Sequence, residues 1–189
     1  DAKTLDSHLR QASSSIEAAA KEDATPQDIM AAARADYGRL SAALYQIGHY
    51  GGIISILVDG REAANSSPLE QNRAVRQIVI QVQPGPRFTF ADASVAPLAP
   101  GTELPEEFAS GRPAFSDFIG DAARAGVNGW RDAGHAKVDV RDQSITADHR
   151  NARLSARITL DPGPRLVFGN LIVTIPGNVR PERVVEIAG

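Results

Sequence analysis

Cysteine is absent from the chain. That excludes disulfide scaffolds, thiolate metal sites and cysteine nucleophiles. It does not fix the compartment, because a periplasmic protein also folds without cysteine. Aromatic residues make up 5% of the sequence and the net charge is −3. The chain therefore has neither the basic surface nor the ring supply of a nucleic-acid binder, and no pull toward anionic lipid. Long apolar runs are missing too. The most apolar stretch, residues 53–58, falls far short of the ~20 residues that cross a bilayer as a helix. No basic-then-apolar signal segment opens the chain, and the start at Asp1 reads as that of a processed or trimmed fragment. The G-x-S-x-G elbow, the phosphate-binding P-loop, H-E-x-x-H and the EF-hand pattern are also absent. What remains is an ordinary globular composition, 42% hydrophobic and 23% charged over 189 residues. At ~150 residues per domain, that length holds one large domain or two small ones.

Periodicity divides the chain. Leu5, Leu9, Ala12, Ile16 and Ala19 or Ala20 recur at helical steps and fade at Lys21-Glu22-Asp23. Thr25-Pro26-Gln27-Asp28 then reads as a cap, a first-turn proline and an acid suited to the helix N-terminus. A second stripe follows (Ile29, Ala33, Tyr37, Leu40, Leu44, Ile47), stopped by Gly48. The two helices read as an antiparallel pair. The period then drops to 2, with Ile54, Ile56 and Val58 on one face of a strand over 53–59. Polar residues 60–75 read as a long hairpin connection, and 77–83 as a strand with Ile78, Ile80 and Val82 inward. Pro84-Gly85-Pro86 punctuates, and residues 87–95 read as the next strand.

Residues 96–114 hold four prolines and two glycines, with a short helix expected over 105–109. A helix is expected over 115–133, packing Phe118, Ile119, Ala122 and Trp130 and weakened by Gly120, Gly126 and Gly129 at ~1 kcal/mol each. A strand with Ala136, Val138 and Val140 inward follows, then a polar turn over 142–151. The next strand, over 152–160, carries Ala152, Leu154, Ala156, Ile158 and Leu160 on one face. Pro162-Gly163-Pro164 punctuates again. An apolar strand over 166–175 and a helix beginning over 180–187 close the chain.

This layout repeats. QVQPGPRFTF at 81–90 returns as TLDPGPRLVF at 159–168, with Gly85 and Gly163 78 positions apart. Ile47-Gly48-His49-Tyr50 returns as Ala133-Gly134-His135-Ala136, 86 positions apart at the glycines. The difference is taken up by the longer hairpin of the first copy. A period of this size indicates an array of small domains.

A strand–helix–helix–strand–strand unit of ~75–80 residues whose last strand runs into Pro-Gly-Pro resembles a POTRA domain of the BamA/TamA superfamily. Thr25-Pro26, Ile47-Gly48-His49-Tyr50 and the extended hairpin 60–75 resemble the TamA branch, and PGPR-x-x-F-G at 162–169 resembles the superfamily's recurrent junction. Two departures accompany it: copy two has Ala136 where an aromatic is usual, and the first strand of copy one falls before residue 1.

The resemblance implies an α+β fold of tandem domains, each a helix pair on a three-stranded mixed sheet. It implies one domain over 1–85 lacking its first strand, a second over 86–163, and the start of a third over 164–189. It implies the periplasmic arm of an outer-membrane β-barrel and autotransporter assembly factor, without catalysis or cofactor. Partners would be unfolded outer-membrane or autotransporter substrates and a TamB-type inner-membrane-anchored protein. Membrane association would run through a C-terminal barrel absent from this chain, and nucleic acid is not a partner. Clients would add as strands at exposed sheet edges. In the family that edge is the strand after helix two: Ile53, Ile54, Ser55, Ile56, Leu57 and Val58 in copy one, and Ala136, Lys137, Val138, Asp139, Val140 and Arg141 in copy two. Lys137 and Arg141 would discourage unwanted pairing. A BamA-type or two-partner-secretion arm is the alternative within the superfamily. Outside it stand a small periplasmic hydrolase using His135 and Asp132, and a single-domain cell-division scaffold, which the repeat disfavours.

Other groups have plainer readings. His8, His49, His135 and His149 lack ligand spacing, and His49 and His135 are placed to bond the last carbonyls of their helices. Glu103, Glu106 and Glu107 suit a first helical turn. Arg141, Arg150, Arg153, Arg157 and Arg165 read as a solvated strand face, with partner contact as the second reading. Tyr37, Leu44, Tyr45 and Ile47 read as core. Pro84, Gly85 and Pro86, like Pro162, Gly163 and Pro164, leave few free torsions and read as semi-rigid junctions. Gly48 and Gly134 are expected at positive φ.

Overall fold

The structure, a computed structural model, describes residues 2–21, 23–66, 74–167 and 169. The first unit opens with α1 (Ala2–Ala12), α2 (Ser14–Ala19) and α3 (Pro26–Gln46). The first apolar stripe thus spans two helices rather than one, and Ser13 is the break. Its backbone is extended (φ −82°, ψ 119°) and its side chain accepts the Ile16 N–H as the cap of α2. The cause lies 23 residues away. Asp36 of α3 is fully buried and accepts from the Ser13 hydroxyl (2.6 Å), from the Ser14 N–H and hydroxyl (2.7 Å each), and from the Ser15 N–H (3.0 Å) and hydroxyl (2.5 Å). A buried carboxylate must be matched by donors, and the three serines supply five. The start of α3 follows the sequence expectation: Thr25 and Asp28 form a reciprocal capping box, with Pro26 in the first turn.

Beyond α3 come β1 (Ile53–Val58), β2 (Arg61–Glu62), a 3-10 turn (Ala63–Asn65) and β3 (Ile78–Gln83). Their sheet is antiparallel with the order β2-β1-β3. The long hairpin therefore begins with a tight turn at Asp59 and Gly60, and two of its residues return as a strand. Leu40 (1% exposed), Ile56 (0%) and Val58 (5%) centre the core of this unit, with Leu9, Tyr37, Ile78 and Ile80 against it.

The second unit contains β4 (Thr89–Ala96), α4 (Ser116–Asp132), β5 (Asp139–Asp148) and β6 (Arg153–Asp161). Here β6 is central, parallel to β4 and antiparallel to β5, so the sheet is mixed. Phe90, Leu154, Ala156 and Ile158, all 0% exposed, form its core with Ile119 and Ala122 of α4. The molecule is thus α+β, with helices against two three-stranded sheets.

Two local expectations change. Residues 105–109 form a turn closed by Phe108 N–H on the Pro105 carbonyl (3.0 Å), not a helix. Glu103, Glu106 and Glu107 are exposed on it. Among the described residues the second unit therefore has one helix, and Leu98, Leu104, Phe108 and Ala114 of the segment 97–115 pack into its core. The strand expected over 136–141 starts at Asp139 and runs to Asp148, through residues that read as a turn. The strand and helix expected over 166–175 and 180–187 lie outside the described residues, apart from residues 166, 167 and 169.

Candidate partner-binding edges and inter-unit junctions

Gly48 and Gly134 end α3 and α4 at φ 84° and 92°. Both helix ends close with the same two bonds: Gly48 N–H to Tyr45 O (3.1 Å) and His49 N–H to Leu44 O (2.8 Å), then Gly134 N–H to Arg131 O and His135 N–H to Trp130 O (2.9 Å each). This is the Schellman arrangement, and it needs the left-handed glycine. The glycine carbonyls then receive the chain that follows Pro-Gly-Pro. Phe88 N–H donates to Gly48 O, and Leu166 N–H donates to Gly134 O, each at 2.8 Å.

The histidines complete the junctions. Nδ1 of His49 lies 3.0 Å from Gly85 O, and Nδ1 of His135 lies 2.9 Å from Gly163 O. A carbonyl only accepts, so each Nδ1 carries the proton. The rings therefore bond the Pro-Gly-Pro carbonyls rather than the last carbonyls of their helices. A Cβ on Gly85 would stand 3.3 Å from Gly51 O, and one on Gly163 3.6 Å from Lys137 O. Gly51 and Lys137 each sit three residues past the helix-ending glycine. Two separated stretches of sequence thus build one latch twice.

Across the first junction, rings connect the units. Tyr45 stacks on Tyr50 (4.9 Å between centroids), Tyr50 meets the edge of Phe88 (5.5 Å), and Phe88 meets His149 of the β5–β6 turn (5.6 Å). Tyr45, expected in the core, is 40% exposed at this stack. Burial raises the Tyr50 pKa to about 12, with Tyr45 and Asp117 adding to it, and its buried hydroxyl has no hydrogen-bond partner among the described residues.

The edges differ between the units. β1 stands in the middle of its sheet. Leu57 and Val58 pair with Glu62 and Arg61, and the Glu62 carboxylate accepts from Ile56 N–H (3.0 Å) and the Ser55 hydroxyl (2.7 Å). Tyr37 also donates to Glu62. These bonds hold the Glu62 pKa below the usual carboxylate range, Tyr37 contributing most. The edge expected at Ile53, Ile54, Ser55, Ile56, Leu57 and Val58 is therefore covered from Ser55 onward.

β5 is different. It pairs with β6 along its length, and among the described residues no strand lies on its other side. Its register slips between Val140 and Asp142, which leaves Arg141 as a bulge. Ala136 and Lys137 lie in the preceding turn, and Val138 is 6% exposed just before the strand, with its N–H on His135 O (3.2 Å). The open edge is thus Asp139 to Asp148, with Asp139, Val140 and Arg141 at one end. Sequence reading missed its longer part, residues 142–148, because most of them are polar and exposed.

The arginines hold the outer face of the second sheet. Arg153 bonds Thr89 (2.9 Å) and Arg157 pairs with Asp92 (3.0 Å), both across the β4–β6 pair. His8 Nε2 lies 3.0 Å from Ala43 O. Among the described residues, no group of three metal-ligating side chains gathers.

No protein-family model matches the chain. No curated protein matches it at a significant level. Among solved structures, the crystal structure of POTRA domains 3–5 of Haemophilus influenzae BamA is similar over 81% of this chain, at 14% identity and a TM-score of 0.48. The match spans 59% of that structure's chain.

Proposed function

We propose that the chain is part of a periplasmic POTRA arm of an outer-membrane assembly factor, with units divided at 85/86 and 163/164, and that it takes up extended client or partner chains on the open edge of β5. The observation that carries the reading is the doubled latch. The same helix-end glycine, histidine and Pro-Gly-Pro glycine recur at both ends of the second unit, as in a chain of like modules held at set angles. Such an arm works by presentation rather than catalysis, and needs neither cofactor nor metal. A strand laid on β5 gains main-chain hydrogen bonds that ignore its side chains, which suits a receptor of many unfolded substrates. The sequence features at 25–26, 47–50 and 60–75 favour the TamA branch, autotransporter clients and a TamB-type partner. A BamA-type or two-partner-secretion arm is the other reading.

The test is amide mapping by NMR, with a peptide copying a terminal strand of an outer-membrane barrel titrated into the labelled chain. Perturbations concentrated on residues 139–148 are expected. Saturable binding that leaves those amides unmoved contradicts the assignment.

A further inference from the structure

The two sheets share a register. Ile56 of β1 faces Ile80 and Gln143 of β5 faces Ile158, and Ile80 and Ile158 are 78 positions apart, as Gly85 and Gly163 are. β1 and β5 are thus the same strand of two like units. Their outer edges differ. Among the described residues no strand lies beyond β5, whereas the edge of β1 is filled from within its own unit. Backbone fills only part of it, because β2 pairs with Leu57 and Val58 and ends there. At the next step a side chain takes over. One Glu62 oxygen accepts from Ile56 N–H (3.0 Å) and the other from the Ser55 hydroxyl (2.7 Å). A carboxylate oxygen thus stands where the carbonyl of a paired strand would stand. The Tyr37 hydroxyl donates to the same carboxylate and lies 3.5 Å from Ile56 O. Arg34, on the same helix as Tyr37, donates to Ala63 O (3.3 Å) and Ser66 O, which ties the turn after Glu62 to α3.

We propose that Glu62 gates the edge of β1: its carboxylate is a displaceable stand-in for a strand carbonyl, and an extended, uncharged segment of a client pairs with residues 53–56 by taking its place. This rests on the reading of the chain as a receptor of extended chains. Residues of a strand donate to its two sides in alternation. Ile56 N–H points away from β3, so Ile54 N–H does too, and Ile54 lies beyond the residues that β2 pairs. Opening needs the Glu62 side chain to rotate, not a strand to unfold. The displaced carboxylate goes to water, so no buried charge is left behind.

The chemistry of the occupant follows from the edge. Residues 53–58 carry no charge, and Ile53 is 63% exposed. β5 carries Asp139, Arg141, Asp142 and Asp148. A charged segment finds partners on β5 but none on residues 53–58, where an apolar segment instead covers Ile53. The two edges therefore sort clients by charge, and the apolar edge is the one that is gated.

The test is amide exchange and NMR titration on the whole labelled chain, with an uncharged peptide copying a terminal strand of an outer-membrane barrel. Glu62→Ala should speed exchange at Ile56 by roughly tenfold or more, with Leu57, which donates to β3, unchanged. In the parent the peptide should shift residues 139–148 alone, and in Glu62→Ala it should also shift 53–56. Glu62→Gln keeps an acceptor oxygen and should behave as the parent does. Tyr37→Phe keeps the ring that packs on the core and loses only the hydroxyl. It should open the edge in part, and it gives the reading should Glu62→Ala fail to fold. Unchanged Ile56 exchange, no shift on 53–56 in either opened variant, or a parent that already shifts there as strongly, overturns the gate. Shifts that stay on 139–148 throughout leave the receptor reading standing without it. Shifts on 53–56 alone in the opened variants support the gate and sink the β5 assignment instead. A peptide with lysine at alternate positions should still shift 139–148 but not 53–56, and equal shifts at 53–56 contradict the uncharged occupant.

Discussion

Asp36 shows how one side chain fixes the course of the first fifteen residues. Burial pushes its pKa up, but hydrogen bonds from Ser13, Ser15 and Ser14 outweigh that, and the net shift is downward. A depressed folded-state pKa contributes stability above the unfolded value of ~3.9 and loses it as pH falls through the folded value. Asp36→Ala should therefore cost about 3 kcal/mol at neutral pH, from the unpaired serine donors. The gap to the parent should narrow below about pH 4. Denaturant melts at pH 7 and pH 3 check both statements. The glycines of α4 make a second case. A Cβ on Gly129 would collide with the Thr102 side chain, including Cγ2 at 2.9 Å. Gly129→Ala should thus lower stability by about 1–2 kcal/mol, although alanine favours a helix by ~1 kcal/mol. A thermal melt showing stabilisation would contradict the packing account.

At the scale of elements, the two latches make the clearest forecast. Gly48→Ala places a side chain at φ 84° and 3.3 Å from Phe115. A loss of about 1–2 kcal/mol is expected in an equilibrium unfolding curve. Much of this level was legible in the sequence. Both terminating glycines, the cap at Thr25 with Asp28 in the first turn, and the Pro-Gly-Pro punctuation are local signals, and local signals survive into the fold. What was not legible depends on distant partners or on exposure. The break at Ser13 is imposed by Asp36, 23 positions away. β2 is two residues inside a polar stretch, so nothing local announced that it covers β1. β5 continues through Asp142, Gln143, Ser144 and Thr146 because an edge strand with a solvated face needs no apolar alternation. The histidines were rightly placed at helix ends, but their acceptors, Gly85 and Gly163, could be found only in three dimensions.

On the scale of the whole molecule, a short aromatic ladder and the latch at Gly48, His49 and Gly85 join the first unit to the second. The central claim is that the open edge of β5 receives an extended chain. Neighbouring residues of an antiparallel strand point their N–H groups to opposite sides. Of Gln143 and Ser144, one therefore donates to β6 and the other faces the open edge. The direct test is an affinity titration of a fluorescent barrel-strand peptide against the parent, Gln143→Pro and Ser144→Pro, each with its thermal melt. The account predicts that one proline weakens binding at least tenfold with its melting temperature nearly kept, while the other lowers the melting temperature. Two prolines that both bind as the parent does would contradict it.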